Sequence, residues 1–332
     1  WFATEENEWK ELFWDHLPRW LTVSDRSVLH GYYTGDSNLY LPHHLKVWIP
    51  VLLGWLFLFF TLAIIFLCLN TILRRQWADR ERLTFPIIQL PLEMTNSSSV
   101  FFRNKRMWLG IGIASSIGLL NGLSVIYPSL PSLPITRRSF SFNELPLSLY
   151  GGITVAFYPF AIGIMFLMPI DVLFSTALFY FLYRNEVALA EAMGWRGLPK
   201  FPYLDQQTFG AFVGLCIFFI WIGKHHFRQV LASGLRQPTG IDDMNQPIRY
   251  QTAFWGLCGG LFLFAFALYK AGMTFWIAII FAVLFLITPI ITTRIRAESG
   301  IFVHAYHWLA PRYALGTILG TRRLGPQNLT VL

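Results

Sequence analysis

The run VWIPVLLGWLFLFFTLAIIFLCLNTIL, Val47–Leu73, contains no charged residue and decides the class of this protein. The hydrocarbon core of a bilayer is about 30 Å thick and takes about 20 apolar residues in a helix, so this run is long enough to cross it. Five further charge-free runs follow it: Met107–Thr136, Leu145–Ile170, Gln206–Gly223, Tyr250–Tyr269 and Ala271–Thr293. The pattern predicts an all-α, polytopic transmembrane helical bundle, with the lipid bilayer as its first partner.

The composition excludes most other classes of protein. Of the 332 residues, 55% are hydrophobic and 13% are charged, whereas a soluble domain carries about 25% charged residues. The apolar content excludes a disordered chain, and three cysteines in this length exclude a disulfide scaffold. The net charge of +8 lies in segments that flank the apolar runs, where basic residues set membrane topology. We therefore expect no nucleic-acid partner.

Motifs for catalysis or metal binding are not found in the sequence. There is no G-x-S-x-G, Walker A, H-E-x-x-H or G-x-G-x-x-G pattern, so we expect neither an enzyme nor a cofactor. The pairs His225-His226 and His304-x-x-His307 lack the further ligands that a structural zinc site needs, and we interpret them as interfacial. The three cysteines fall inside predicted spans, as small core residues do.

Three regions are predicted along the chain. Residues 1–46 are rich in aromatic side chains and form an extracytoplasmic interfacial segment, because Trp and Tyr favour the boundary between membrane and water. A ligand-recognition loop is the alternative for this segment. Residues 47–300 form the transmembrane helical domain. Residues 301–332 form an interfacial tail, which we expect to continue into a longer protein.

About seven membrane segments are predicted, with one broken or re-entrant pair around Pro169. Within Tyr150–Tyr183 the apolar residues are interrupted by Met168-Pro169-Ile170-Asp171, which indicates either one kinked helix or two segments that turn around. Seven Lys and Arg between residues 74 and 106 mark that loop as cytoplasmic. A reversal at Pro169 places most of the other basic residues on the same side, so the charge distribution favours the reversal.

The helix break supplies the first candidate binding residues. Asp171 directly follows the break, and transporters place binding groups at broken helices because unwound backbone and helix ends can coordinate ions there. The alternative for Asp171 is an N-cap of the helix that follows. Arg184 and Glu186 lie near the far end of the same segment and could line a polar cavity. The alternative for both is a salt-bridged helix end at the interface.

The end of the last long apolar run supplies three more candidates. Arg294, Arg296 and Glu298 precede Ser299-Gly300. Arginines two residues apart point to different sides of a helix, so one of them can face inward and meet Glu298 or an anionic substrate. Anchoring of the helix end at the lipid headgroups is the alternative. These residues, with Asp171, Arg184 and Glu186, are our candidate substrate-binding or proton-binding groups.

Three stretches carry a resemblance to a known family. They are Arg74–Trp77 running into Glu81–Met94, Leu167–Asp171 with Phe174-Ser175, and Arg294–Gly300, and the aromatic opening Trp1-Phe2 accompanies them. Together they resemble a family of bacterial polytopic membrane proteins of unknown function. That family is distantly similar to the oligopeptide transporter superfamily, which includes the yellow-stripe-like carriers of metal chelates.

The resemblance implies a function and a location. It implies a multi-pass protein of the bacterial inner (plasma) membrane that takes up small peptides or metal chelates together with protons. Transport is here an inference by analogy. A structural or assembly subunit of a larger membrane complex is the alternative, because the chain has 31 Phe, 13 Trp and 13 Tyr but few polar groups inside its apolar runs. A homo-oligomer is compatible with either function.

Overall fold

A computed structural model describes residues 4–35, 37–96, 98–195, 201–237, 247–301 and 310–332, and these residues are mainly helical. The helices are α1 (Trp9–Leu12), α2 (Arg26–Thr34), α3 (Pro42–Arg74), α4 (Pro86–Asn96), α5 (Ser98–Arg103), α6 (Lys105–Ile126), α7 (Pro159–Phe166), α8 (Ile170–Ala192), α9 (Leu204–Gly234), α10 (Tyr250–Lys270), α11 (Phe275–Ser299), α12 (Pro311–Leu319) and α13 (Thr321–Val331). Short 3₁₀ helices cover Trp14–His16 and Leu147–Tyr150, and a π-helix over Arg75–Arg80 prolongs α3.

Five helices of the described chain are long and apolar enough to cross a membrane: α3 with its π-helical extension, α6, α9, α10 and α11. Helices α7 and α8 lie where the other two membrane segments are predicted, on either side of Pro169, and α7 has eight residues. The all-α transmembrane bundle is therefore confirmed. The chain is a multi-pass integral membrane protein, with apolar helix surfaces suited to lipid.

The segment before the break contains less helix than its apolar composition suggests. Of Tyr150–Leu167, only Pro159–Phe166 is α-helical, because Gly151-Gly152 and the β-branched stretch Ile153–Val155 precede it. That stretch is strand β2, and it pairs antiparallel with β1 (Arg138–Phe140). Arg138 lies opposite Val155 and Phe140 opposite Ile153. The β1–β2 ribbon therefore occupies part of the connection between α6 and α7.

The chain divides into two compact units. Unit 1 comprises Trp1–Arg82, Phe209–Ile291 and Tyr306–Leu332, and unit 2 comprises Leu83–Thr208 and Thr292–Ala305. The core of unit 1 is built on α3 and α10. Its buried side chains include Ile65 and Cys68 on α3 and Phe264 and Ala265 on α10.

Two glycines set how closely α3 and α10 approach each other. A Cβ on Gly256 would lie 2.6 Å from Cys68 Sγ, and one on Gly260 would lie 2.6 Å from Ile65 Cγ1. No side chain larger than hydrogen fits at either position without a shift of its neighbour. The spacing Gly256-x-x-x-Gly260 puts both on one face of α10, which is how membrane helices pack closely.

The C-terminal tail also belongs to unit 1. Leu315 of α12 and Leu324 of α13 are buried against Met273 and Ile277, at the start of α11. The side chain of Asn328 accepts a hydrogen bond from the Thr274 backbone N–H at 2.7 Å and donates one to Thr274 Oγ1 at 3.1 Å. The tail thus caps the N-terminal end of α11. This packing places α12 and α13 beside the beginning of α11.

Candidate functional site

All six candidate residues lie in unit 2. Asp171, Arg184 and Glu186 lie on α8, and Arg294, Arg296 and Glu298 lie on the last two turns of α11. Between Asp171 and Arg184 there are thirteen residue steps of helix, or about 20 Å at 1.5 Å per residue. The candidates on α8 therefore occupy two separate places, one in the first turn of the helix and one about two turns before its end.

The chain reverses between α7 and α8. Arg184 Nη2 donates a hydrogen bond to the Gly152 carbonyl, and Tyr150 Oη donates to Asn185 Oδ1 at 2.7 Å. Residues 150–152 therefore lie beside residues 184–185, although 31 residues separate the two groups. A single crossing helix over this stretch would hold its ends more than about 40 Å apart. The contact confirms the reversal, and residues 167–169 form its turn.

Asp171 lies next to that turn, as the second residue of α8. The N-cap of α8 is Pro169, which has extended backbone angles and makes no side-chain cap bond. Asp171 is therefore not the N-cap of α8. The carboxylate is exposed within the first helical turn. A negative charge is favoured there because the first N–H groups of a helix carry partial positive charge.

Arg184 joins the two ends of the α7–α8 hairpin. Besides its bond to Gly152, its guanidinium carbon lies 5.9 Å from the ring centre of Tyr180, one turn earlier on α8. Its Nε is buried and has no hydrogen-bond partner among the described residues. A cation between a backbone carbonyl and an aromatic ring is well placed to hold the hairpin closed.

Glu186 connects α8 to the start of α9. It accepts a hydrogen bond from Gln207 Nε2 at 2.8 Å, and the same nitrogen donates to the Pro202 carbonyl at 2.9 Å. Arg184 and Glu186 therefore face different partners at the base of the hairpin. These contacts join α8 to residue 152 on one side and to the start of α9 on the other.

The end of α11 packs on the segment that begins α4. The Phe85 backbone N–H donates to the Ala297 carbonyl at 2.8 Å, and Thr84 Oγ1 donates to the Glu298 carbonyl at 3.4 Å. The Glu298 side chain itself is exposed. Arg296 is half-buried and its Nε donates to the Ile301 carbonyl at 3.1 Å, so its positive charge lies at the C-terminal end of α11. That end carries partial negative charge and is stabilised by a cation.

Gly300 brings three distant parts of the sequence together. It has a positive φ of 65°, and a Cβ placed on it would lie 2.9 Å from Pro86 Cβ and 3.1 Å from Ile164 Cγ2. The end of α11, the start of α4 and α7 therefore meet at this glycine. Two of the three stretches that carry the family resemblance are in direct contact here, and α7 leads into the third. Spacing along the chain contains no signal for this convergence.

The structure separates the two members of the His225-His226 pair. His225 is exposed, whereas His226 is completely buried and its Nε2 donates to the Ile72 carbonyl at 2.7 Å. The interfacial interpretation therefore fits His225 but not His226. Among the described residues, no three His, Cys, Asp or Glu side chains form a group that could hold a metal ion. His304 and His307 lie outside the described residues.

Comparison with known proteins identifies the family of this chain. No curated protein matches the chain, and no solved structure matches it. One family matches over residues 1–332, and its description is "Family of unknown function (DUF6785)". The match extends over both units and over all six candidate residues. The chain belongs to the DUF6785 family.

Proposed function

We propose that this protein is a secondary transporter, or part of one, that carries small peptides or metal chelates together with protons and is not an enzyme. The observation that supports the proposal most directly is the α7–α8 hairpin. It reverses at residues 167–169 and presents the exposed carboxylate of Asp171 beside the turn. Broken segments of this kind provide ion and substrate groups in secondary transporters.

The six candidate residues take two roles in this proposal. Asp171 binds the proton or a cationic group of the substrate, because it is the carboxylate next to the turn of the hairpin. Arg184 and Glu186 position the hairpin through Gly152 and Gln207. The substrate class and the bacterial inner membrane as location come from the resemblance to the oligopeptide transporter superfamily.

Arg294, Arg296 and Glu298 act through the end of α11. This end lies against the start of α4 and against α7. A shift of α7 during transport would therefore change the contacts at Gly300. We assign these three residues to positioning of the hairpin rather than to direct contact with substrate.

Uptake by purified protein in liposomes tests the proposal. A pH gradient should drive accumulation of short peptides or of metal chelates by the full chain. Replacement of Asp171 by Asn should reduce the initial rate at least about tenfold, which corresponds to about 1.4 kcal/mol in the barrier. Glu144→Gln is the matched control, because Glu144 is another exposed carboxylate of unit 2 and lies in the connection before α7. Equal rates for Asp171→Asn and Glu144→Gln would contradict the role of Asp171.

A structural or assembly subunit is the second candidate function, and one observation favours it. Helix α6 is apolar enough to cross a membrane, yet none of its residues is buried within the described chain. Most of its surface is therefore available to lipid or to helices of partner chains or of a second copy. Uptake activity of the isolated protein would argue against a purely structural role. Recovery of a larger complex, together with no uptake in liposomes, would favour it.

A further inference from the structure

A cavity of about 620 Å³ lies between the N-terminal segment and the first turns of α3. Pockets for small molecules usually have volumes of about 300–1,000 Å³, so this cavity is large enough for a small ligand. Six of its lining residues carry the argument: Trp14, Asp15, Arg19, Tyr32, Trp48 and Trp55. All of them lie in unit 1 and none is among the six candidates discussed above.

Contacts between the loop after Arg19 and α3 hold one wall of the cavity. Trp55 Nε1 donates a hydrogen bond to the Leu21 carbonyl at 3.0 Å. Trp20 lies against α3 so closely that a Cβ on Gly54 would be 2.8 Å from both its Cε3 and its carbonyl oxygen. The loop is therefore fixed on the helix, and its contacts shape this wall of the cavity.

Helix α2 forms the opposite wall and is tied to α3 as well. Asp25 caps α2 by accepting hydrogen bonds from the backbone N–H groups of Ser27 at 2.9 Å and Val28 at 3.3 Å. The Ser27 hydroxyl and His43 Nε2, at the start of α3, are 2.9 Å apart. These bonds orient the face of α2 that carries Tyr32.

The walls are aromatic. Tyr32 and Trp48 have ring centres 5.5 Å apart, and Trp14 and Trp55 line the same space. The face of an aromatic ring attracts cations, Trp most strongly, and ammonium groups are bound by aromatic cages of this kind. The cavity therefore has the chemistry for an ammonium group.

Two opposite charges line the cavity without pairing with each other. Neither Asp15 nor Arg19 forms an ion pair or a hydrogen bond with its side chain among the described residues. Asp15 can neutralise an ammonium group held by the rings. The Arg19 guanidinium can bind a phosphate through two parallel N–H bonds. A ligand with both charges satisfies both residues at once.

The position of the cavity suggests where such a ligand comes from. Val51 and Leu52 also line it, and they belong to the first charge-free run of the chain. The cavity therefore reaches the boundary between membrane and water, where phospholipid headgroups lie. Ammonium–phosphate zwitterions occur there as headgroups and occur in solution as free compounds.

We propose that this cavity binds a zwitterion that joins an ammonium group to a phosphate, with the ammonium between the Trp and Tyr rings and Asp15 and the phosphate on Arg19. The site is separate from the transport proposal, and binding at it is measured without uptake. Failure of one proposal therefore does not decide the other.

Calorimetric titration of the full chain in an uncharged maltoside detergent tests the site. Four probes are needed: O-phosphoethanolamine, a dihexanoyl phosphatidylethanolamine, ethanolamine and inorganic phosphate. We expect one of the two zwitterions to bind most tightly of the four probes. Ethanolamine alone and phosphate alone should each bind at least about tenfold more weakly than that zwitterion. Tighter binding of the lipid than of O-phosphoethanolamine identifies a headgroup site. Equal binding of the two identifies a site for the soluble compound, and both results support the zwitterion.

Charge-neutral variants provide the decisive comparison. Arg19→Gln and Asp15→Asn should each weaken binding of the zwitterion at least about tenfold. The matched controls are Arg26→Gln and Glu11→Gln, because both are exposed charges of the same segment that do not line the cavity. Unchanged thermal unfolding of all four variants would show that the fold is retained. Failure of both zwitterions to bind, or equal affinity of the cavity variants and the controls, would overturn the proposal.

Discussion

Gly300 is the residue on which the arrangement of unit 2 depends most directly. Its positive φ of 65° is a conformation that glycine adopts at little cost. Its missing side chain lets Pro86 and Ile164 approach within contact distance. Both properties are needed at the same position, so glycine is the one residue type that satisfies them. The end of α11 could not meet α4 and α7 in this way with a larger residue.

Replacement of Gly300 by Ala should lower the thermal stability of the protein in detergent. The expected loss is about 1–3 kcal/mol from the backbone conformation, with a further loss from the contacts of the new Cβ. Gly194→Ala is the control, since Gly194 also has a positive φ, 71°, but no atom of the described residues lies within 4 Å of its Cβ position. Equal losses in the two variants would mean that the contacts at Gly300 are unimportant.

The pair His225 and His226 shows that residue type and adjacent residues do not decide which side chain is buried. His225 and His226 are adjacent on α9, and their sequence context is almost the same. One turns to the surface, while the other lies beside Tyr250 with ring centres 5.9 Å apart. Which of two neighbouring residues faces inward depends on where α3 and α10 lie. The pair alone does not contain that information.

At the scale of single elements, α2 illustrates how local sequence determines structure. The order Asp25-Arg26-Ser27-Val28 is that of an N-cap, and the structure has this cap. Hydrogen bonds from the Ser27 side chain, and then from the Val28 and Ser27 backbone, hold the pKa of Asp25 below its usual value of 3.8. The charged form of Asp25 is thus the form that stabilises α2.

Because the pKa of Asp25 is lowered, we expect the amides of α2 to lose protection from hydrogen exchange in acid. Because the folded pKa is below the unfolded one, the stabilisation is fully present above pH ~4 and is lost as the pH falls through the folded pKa. Hydrogen exchange of the α2 amides, corrected for the intrinsic rate at each pH, measures the loss. Asp25→Asn should retain the cap but remove this pH dependence, since Asn caps helices as well as Asp does. An unchanged pH profile in Asp25→Asn would contradict the assignment.

The α7–α8 hairpin is an element that the sequence predicted in part. Pro169 within an apolar stretch indicated a break, and the distribution of Lys and Arg favoured a reversal over a kink. The contact of Arg184 with Gly152 confirms the reversal. The shortness of α7 was not apparent, because apolar composition alone does not separate helix from the strand that Ile153–Val155 forms.

At the scale of the whole molecule, the placement of the tail has consequences for topology. The C-terminal helix α13 packs against the 3₁₀ helix Trp14–His16 and against the turn between α10 and α11. The tail and the N-terminal segment therefore belong on the same side of the membrane.

Cysteine labelling of intact cells measures this arrangement. In a background without Cys68, Cys216 and Cys258, Arg322→Cys and Glu11→Cys should react with an impermeant maleimide from one side. Glu93→Cys, in the loop predicted to be cytoplasmic, should react from the other side. All three positions are exposed, so the substitutions should leave the fold intact. Labelling of Arg322→Cys together with Glu93→Cys, and not with Glu11→Cys, would contradict the packing of the tail.

The sequence by itself determined the class of the protein, its five long apolar helices and the break at Pro169. These features depend on the length of apolar runs and on local backbone chemistry, which neighbouring residues specify. Tertiary structure alone decided that Gly300 meets Pro86 and Ile164, and that Asp171 lies far from Arg184. It also decided that Asp15 and Arg19 face one aromatic cavity. Such contacts join residues that are distant in sequence, and they depend on how helices pack, which no local pattern records.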